Sequence, residues 1–136
     1  MKALYLEELP LGETFRLGNH TFTAQEVSAF PFPQSLLAAT GWMKCYVNFN
    51  ATARAERVAR QGQEPPFGPS PGVDELKLQT PVKAGDTVTY TSTPATKRAF
   101  ASKPGWGIYE SLNEGRNQRG ELVVSFKAKV LIATKA

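Results

Sequence analysis

Histidine and cysteine occur once each in the 136-residue chain, as His20 and Cys45. A single cysteine excludes a disulfide within the chain. With neither a CxxC spacing nor a His/Cys cluster there is no ligand set for zinc, so neither a metal nor a cofactor is expected. Long apolar runs are missing too, since no stretch approaches the ~18 consecutive apolar residues that a membrane helix needs. The opening MKALYLEELPLGE puts Glu7 and Glu8 where a signal peptide would have its apolar segment. The expectation is a protein that is neither exported nor membrane-spanning and works in a reducing cytoplasm. Charge of one sign is nowhere concentrated. Sixteen Lys and Arg against twelve Asp and Glu give a net charge of +4. The basic residues are dispersed rather than gathered into a stripe, so nucleic acid is not expected as a partner.

What is present suffices for a single domain spanning 1–136, because a chain of this length buries a core without staples. TFRLGNHTFT, residues 14–23, reads as a strand with a kink point at Gly18. Thr23 then opens TAQE, a capping box in which Thr23 accepts the Glu26 N–H while the Glu26 carboxylate reaches back. The short helix this begins is ended by Pro31, which has no N–H and pushes the residue before it out of helical geometry.

Ser35 reads as the N-cap of a long helix, LLAATGWMKCYVNFNATARAERVARQ, with Gly62 as its C′ residue. Leu36 to Val47 is apolar nearly all round and predicts burial on several sides. Beyond it, Arg54, Glu56, Arg57 and Arg60 leave Ala55, Val58 and Ala59 as an apolar stripe, so the helix is expected to emerge into water at its C-terminal end. Residues 61–72 hold four prolines and three glycines and read as loop. Strands follow at 73–80, 86–93, 105–113 and 121–134, separated by turns at KAGD, ASKPG and NQRG. Pro94 predicts a bulge or an edge. In the last run Leu122, Val124, Phe126, Ala128 and Val130 share one face. The fold class is α+β, an antiparallel sheet wrapped around one long central helix.

LLAATGW, followed by PGVDELKLQTPVKAGDTV and NQRGELVVSFKAKVLI, resembles the MaoC-like acyl dehydratases, which include the (R)-specific enoyl-CoA hydratases and have the hotdog fold. The resemblance runs from YLEELPLGETF to the final strand. It implies a homodimer of hotdogs with an acyl thioester such as acyl-CoA in a tunnel at the subunit interface, and the reversible addition of water to an enoyl-CoA. It also implies an Asp and a His just after the short helix, with N–H groups at the start of the central helix polarising the thioester carbonyl. In the family this break reads DPxPxH, then an acidic stretch and an ASGW helix start; here the region is compressed into PFPQS. Between Glu26 and Glu56 the only ionisable side chains are Lys44, Cys45, Tyr46 and Arg54.

Losing a general base costs about 10²- to 10⁴-fold in rate. The resemblance therefore implies no catalytic residue and a surviving substrate-binding set of Ser35, Leu36, Leu37 and Thr40, in which first-turn N–H groups and hydroxyls face the thioester. The expected function is acyl-thioester binding with hydration lost. Two alternatives stand beside it. One is an active hydratase or dehydratase whose catalytic residues come from unmatched positions or another subunit, which includes a heteromer with a catalytic MaoC-like chain. The other is a thioesterase, which would want a carboxylate where this stretch has none.

The remaining chemistry-bearing residues have plainer readings. His20 reads as a partly exposed sheet residue with no acidic neighbour in sequence to orient it. Cys45 reads as an inert core thiol, Asp86 as a turn residue and Asp74 as a strand start. Arg54, Arg57 and Arg60 suit a helix C-terminus; these, or Lys97, Arg98 and Lys103, are the candidates for clamping the phosphates of coenzyme A. Trp42, Tyr46 and Phe49 share a helical face and read as core.

Overall fold

The TAQE box forms as expected. Glu26 N–H donates to Thr23 Oγ1 at 3.1 Å, Thr23 N–H donates to the Glu26 carboxylate at 3.2 Å, and α1 runs Ala24–Ala29. The computed structural model describes residues 3–31, 34–63, 65–66, 68 and 70–135, the side chains of Gln34 and Ser35 excepted. Before α1 come a 3-10 turn, Leu6–Glu8, and β1, Phe15–Thr21. After it come α2 (Gln34–Gln61), β2 (Gly72–Leu78), β3 (Thr87–Ala99), β4 (Trp106–Arg116) and β5 (Leu122–Ala133). The strands make one antiparallel sheet in the order β1-β3-β4-β5-β2. The sheet's concave face holds α2, with Tyr90, Tyr109, Val124, Phe126, Ala128 and Val130 buried against Ala38, Trp42, Cys45 and Tyr46.

Several sequence expectations change. The long helix starts at Gln34, so Ser35 lies inside its first turn rather than capping it. Of the compressed PFPQS segment, Phe32 and Pro33 lie outside the described residues. β3 does not stop at residue 93. A register shift between Pro94 and Thr96 absorbs the proline, and the strand continues to Ala99 against β4 alone, past the last pairing of β1 at Ser92. Gly18, at φ 130°, sits at the register shift in β1 where the kink was expected. Gly62 adopts φ 77° and its N–H closes onto the Val58 carbonyl at 2.8 Å, the C′ geometry predicted for it.

The first half of α2 is not covered on all sides, because Met43 and Val47 are each more than half exposed. In its second half the expected stripe is inverted. Ala55, Val58 and Ala59 face water, whereas Arg57 is buried. Its guanidinium donates to the Ala3 carbonyl at 2.8 Å, to both Glu8 oxygens at 2.6 and 3.3 Å, and stands over the Tyr5 ring. This pins the N-terminal segment to the helix. The Arg57 hydrogen bond holds the Glu8 carboxyl below its ordinary range. Replacing Arg57 by Met is expected to cost about 1–3 kcal/mol, because the Ala3 carbonyl and Glu8 lose their donor. A depressed carboxylate stabilises the fold above its unfolded pKa of ~4.3, and that contribution disappears as the pH falls through the lower folded value. Urea unfolding of the wild type and Arg57→Met should therefore differ most near neutrality, and the difference should shrink in acid to the part that comes from the Ala3 carbonyl, which does not titrate.

Candidate functional site

The start of α2 is where backbone donors are free. With the helix beginning at Gln34, the N–H groups lacking an acceptor four residues back are those of Gln34, Ser35 and Leu36; Leu37 is the first to enter the helical ladder. Leu36 is half-buried, while Leu37 and Ala38 point into the core. Thr40 is exposed and its hydroxyl donates to the Leu37 carbonyl at 2.7 Å, which leaves the oxygen able to accept. On the core side, Tyr90 of β3 donates its phenol to the Ala38 carbonyl at 2.6 Å. Burial pushes the Tyr90 hydroxyl well above the ordinary phenol range, so it stays a donor at any working pH.

His20 is the partly exposed strand residue expected of it, but it is not without an orienting acid. It has an acidic partner: Nε2 lies 2.8 Å from Glu26 Oε2, with Lys44 of α2 3.9 Å from the same oxygen. The other Glu26 oxygen takes the Thr23 N–H. The imidazole hydrogen bond, followed by that backbone one, holds the Glu26 carboxyl below its ordinary range. The ring stands edge-on to Phe22, centroids 4.6 Å apart, and the pair is about a quarter exposed. Lys44 is one helical turn beyond Thr40, so the dyad lies beside the third turn of α2 and not at its start. A sequence signal for it existed. The capping box bends Glu26 back toward Thr23, and His20 is the penultimate residue of the strand, three residues before that cap.

Other candidates are already engaged. Lys97 donates to the Leu6 and Leu9 carbonyls at 2.9 and 3.0 Å, closing the 3-10 turn. Arg57 is held by Glu8, Arg98 lies over the Phe100 ring, and Lys103 over Trp106. Cys45 is buried, and desolvation raises its thiol pKa, as an inert core thiol requires. Asp86 is buried in the KAGD turn. It accepts from Lys83 N–H at 3.0 Å and from Gln118 at 2.8 Å; burial pushes its carboxyl up, but these bonds and Arg119 bring it below the ordinary range. Among the described residues no group of three His, Cys, Asp or Glu side chains could hold a metal ion, and no helix is long and apolar enough to cross a membrane.

On the opposite flank of α2 from Lys44 there is a cavity of about 160 Å³. Trp42, Met43, Tyr46 and Val47 wall it on the helix side, Val73 and Val130 on the sheet side. Val73 and Leu78 of β2 pair with Ala128 and Val124 of β5, so they sit on the concave face of the sheet. Both are exposed, because α2 does not reach over them.

No protein-family model matches the chain, and neither does any curated protein sequence. Solved structures do. A MaoC-like dehydratase from Rhodospirillum rubrum superposes with a TM-score of 0.66 at 24% identity, over 98% of this chain and 99% of that one. An (R)-hydratase from A. caviae gives 0.53 at 24% identity over 91% and 97%. A Mycobacterium tuberculosis protein described as having a double hotdog fold gives 0.67 at 14% identity, with 98% of this chain covering 45% of that one. At these identities the shared property is architecture: a five-stranded antiparallel sheet around one long helix, the hotdog fold.

Proposed function

We propose that this chain is a MaoC-like hotdog protein that binds an acyl thioester and has lost the hydration chemistry of that family, acting as a homodimer in the cytoplasm. The observation that carries this reading is the placement of the only imidazole. His20 and Glu26 are bonded to each other one turn along from Thr40, and the second Glu26 oxygen is tied to the backbone. The helix start is left with dipoles and a hydroxyl. The backbone N–H groups of Ser35 and Leu36 can donate to a thioester carbonyl there, with Leu37 anchoring the turn in the core, while Thr40 Oγ1, its proton given to the Leu37 carbonyl, can accept from a donor elsewhere on the ligand. Dimerisation is supported by β2, an edge strand that is exposed along its length, beside the apolar strip of Met43, Val47, Val73 and Leu78.

Calorimetric titration with coenzyme A, butyryl-CoA and crotonyl-CoA tests the reading. Saturable heat with the acyl-CoAs and no optical change in crotonyl-CoA is the expected result. No heat and no thermal shift at millimolar ligand would remove it. The dyad favours one second reading, an active hydro-lyase using His20 as its acid/base with Glu26 orienting the ring. In that case crotonyl-CoA is hydrated, and His20→Ala lowers the rate by about 10²- to 10⁴-fold without loss of binding.

A further inference from the structure

Three buried side-chain atoms have no hydrogen-bond partner among the described residues: Trp42 Nε1, Ser92 Oγ and Asn113 Oδ1. Their carriers are neighbours. Ser92 of β3 stands directly opposite Asn113 of β4, and Asn113 opposite Phe126 of β5. Trp42 sets its ring edge-on against Phe126, centroids 4.7 Å apart. Ser92 and Asn113 are 0% exposed and Trp42 7%. One row across the concave face thus carries Ser92 and Asn113, and Trp42 of α2 packs on its third member, Phe126.

The orientation of Asn113 follows from its other bonds. Its Nδ2 donates to the Ser111 hydroxyl at 3.1 Å and to the Ser111 carbonyl at 3.3 Å. A carbonyl can only accept, so the amide nitrogen faces Ser111 and Oδ1 is turned elsewhere. The unmet demands are then one donor from the indole, one acceptor from the amide and a hydroxyl that does either. Neither a carboxylate nor a basic side chain belongs to the row, so its chemistry suits no ion. It suits a small neutral molecule that donates and accepts at once, and native interiors supply water at such points, usually with 2–4 polar partners.

We propose that one internal water is bound at the helix–sheet interface, accepting from Trp42 Nε1–H, donating to Asn113 Oδ1 and sharing a hydrogen bond with Ser92 Oγ. It joins α2 to β3 and β4 at the level of the sheet where apolar packing is interrupted. The test is water-to-protein nuclear Overhauser spectroscopy on the full chain. The Trp42 indole proton should show the negative cross-peak of a long-lived water, with the half-buried Trp106 indole as internal control. The peak should survive Ser92→Ala, which removes the serine hydroxyl as an alternative source, and vanish in Ser92→Ala/Asn113→Leu. Its absence from the wild type, or its loss in Ser92→Ala alone, would overturn the site. A high-resolution crystal structure of the wild-type protein decides without any substitution. Ordered density within ~3.2 Å of two of the three atoms supports the water; a direct bond among the three side chains, or a dry gap between them, excludes it.

Discussion

Gly41→Val is expected to destabilise the fold by about 3–5 kcal/mol, because overpacking and loss of a buried hydrogen bond act at the same point. A Cβ built on Gly41 falls on the Tyr90 hydroxyl and comes within 2.9 Å of Phe22 Cζ, and both rings are fully buried. Tyr90 cannot retreat without releasing the Ala38 carbonyl that it donates to at 2.6 Å. Of a total stability of ~5–15 kcal/mol this is a large share, and it corresponds to a fall in Tm of roughly 10–20 °C. A milder cycle separates the clash from general core damage. Tyr90→Phe removes the hydroxyl and with it the nearest obstacle, so Gly41→Ala should cost less in a Tyr90→Phe background than in the wild type, with a coupling of about 1–2 kcal/mol. Additive costs in chemical denaturation would mean that the close approach of β3 to α2 is not what requires glycine there.

The same region shows what can be read from sequence. Alternation in β5 identifies its buried face because a strand with one wet side has a period of two, and Val124, Phe126, Ala128 and Val130 are all buried. Local devices were legible for the same reason: the TAQE box, the Gly62 stop and the three turns depend only on residues close in the chain. Arg57 was not. A periodicity count scores arginine as polar and turns it outward. Its long stem can be buried if the head finds partners, and here those are Glu8 and the Ala3 carbonyl, about fifty residues away in sequence. The sequence ends this strand at residue 93 and predicts a bulge or an edge at Pro94, because a proline lacks its ladder donor, and the register shift after Pro94 is that bulge. Beyond Ser92 β4 is the only strand paired with it, and on the other edge Gly12 N–H donates to the Pro94 carbonyl without needing a donor from the proline, so a missing N–H there is tolerable.

The candidate site was legible in its absences more than in its contacts. The lack of Asp, Glu and His from the start of α2 is a property of the sequence, and the fold brings none of them there from α1, since Glu26 turns back toward β1. The His20–Glu26 pair needed the geometry, because a strand residue and a helix residue six apart meet only when the connection between them is tight. Exposure of Met43 and Val47 was hidden for a different reason. A helix apolar all round is expected to be buried all round, and a single chain supplies only the sheet side.

That exposed flank leads to the second large effect. Val47→Asp together with Val73→Asp is expected to convert a homodimer into a folded monomer. The two valines wall the same cavity, one from α2 and one from the edge strand, and both are more than half exposed in the isolated chain. In the monomer the new carboxylates would therefore be solvated and cost the fold little. In a dimer that covers this strip, two copies of each would be buried without a partner. Uncompensated buried charge costs ~3–5 kcal/mol per site, so the Kd should weaken by at least about 10²-fold. Light scattering behind size exclusion reads the mass, and circular dichroism checks that the monomer keeps its fold. The register of β2 makes the same point from the backbone: its pairing with β5 shifts between Asp74 and Lys77, with Glu75 at φ 54°. Such a bulge twists the edge and limits which strand can continue the sheet, which favours one specific partner over open-ended stacking. A wild-type chain that is monomeric at tens of micromolar, or a double variant that stays dimeric, would move the interface away from this strip. A variant that is monomeric but still binds acyl-CoA would show that the thioester site is complete within one subunit.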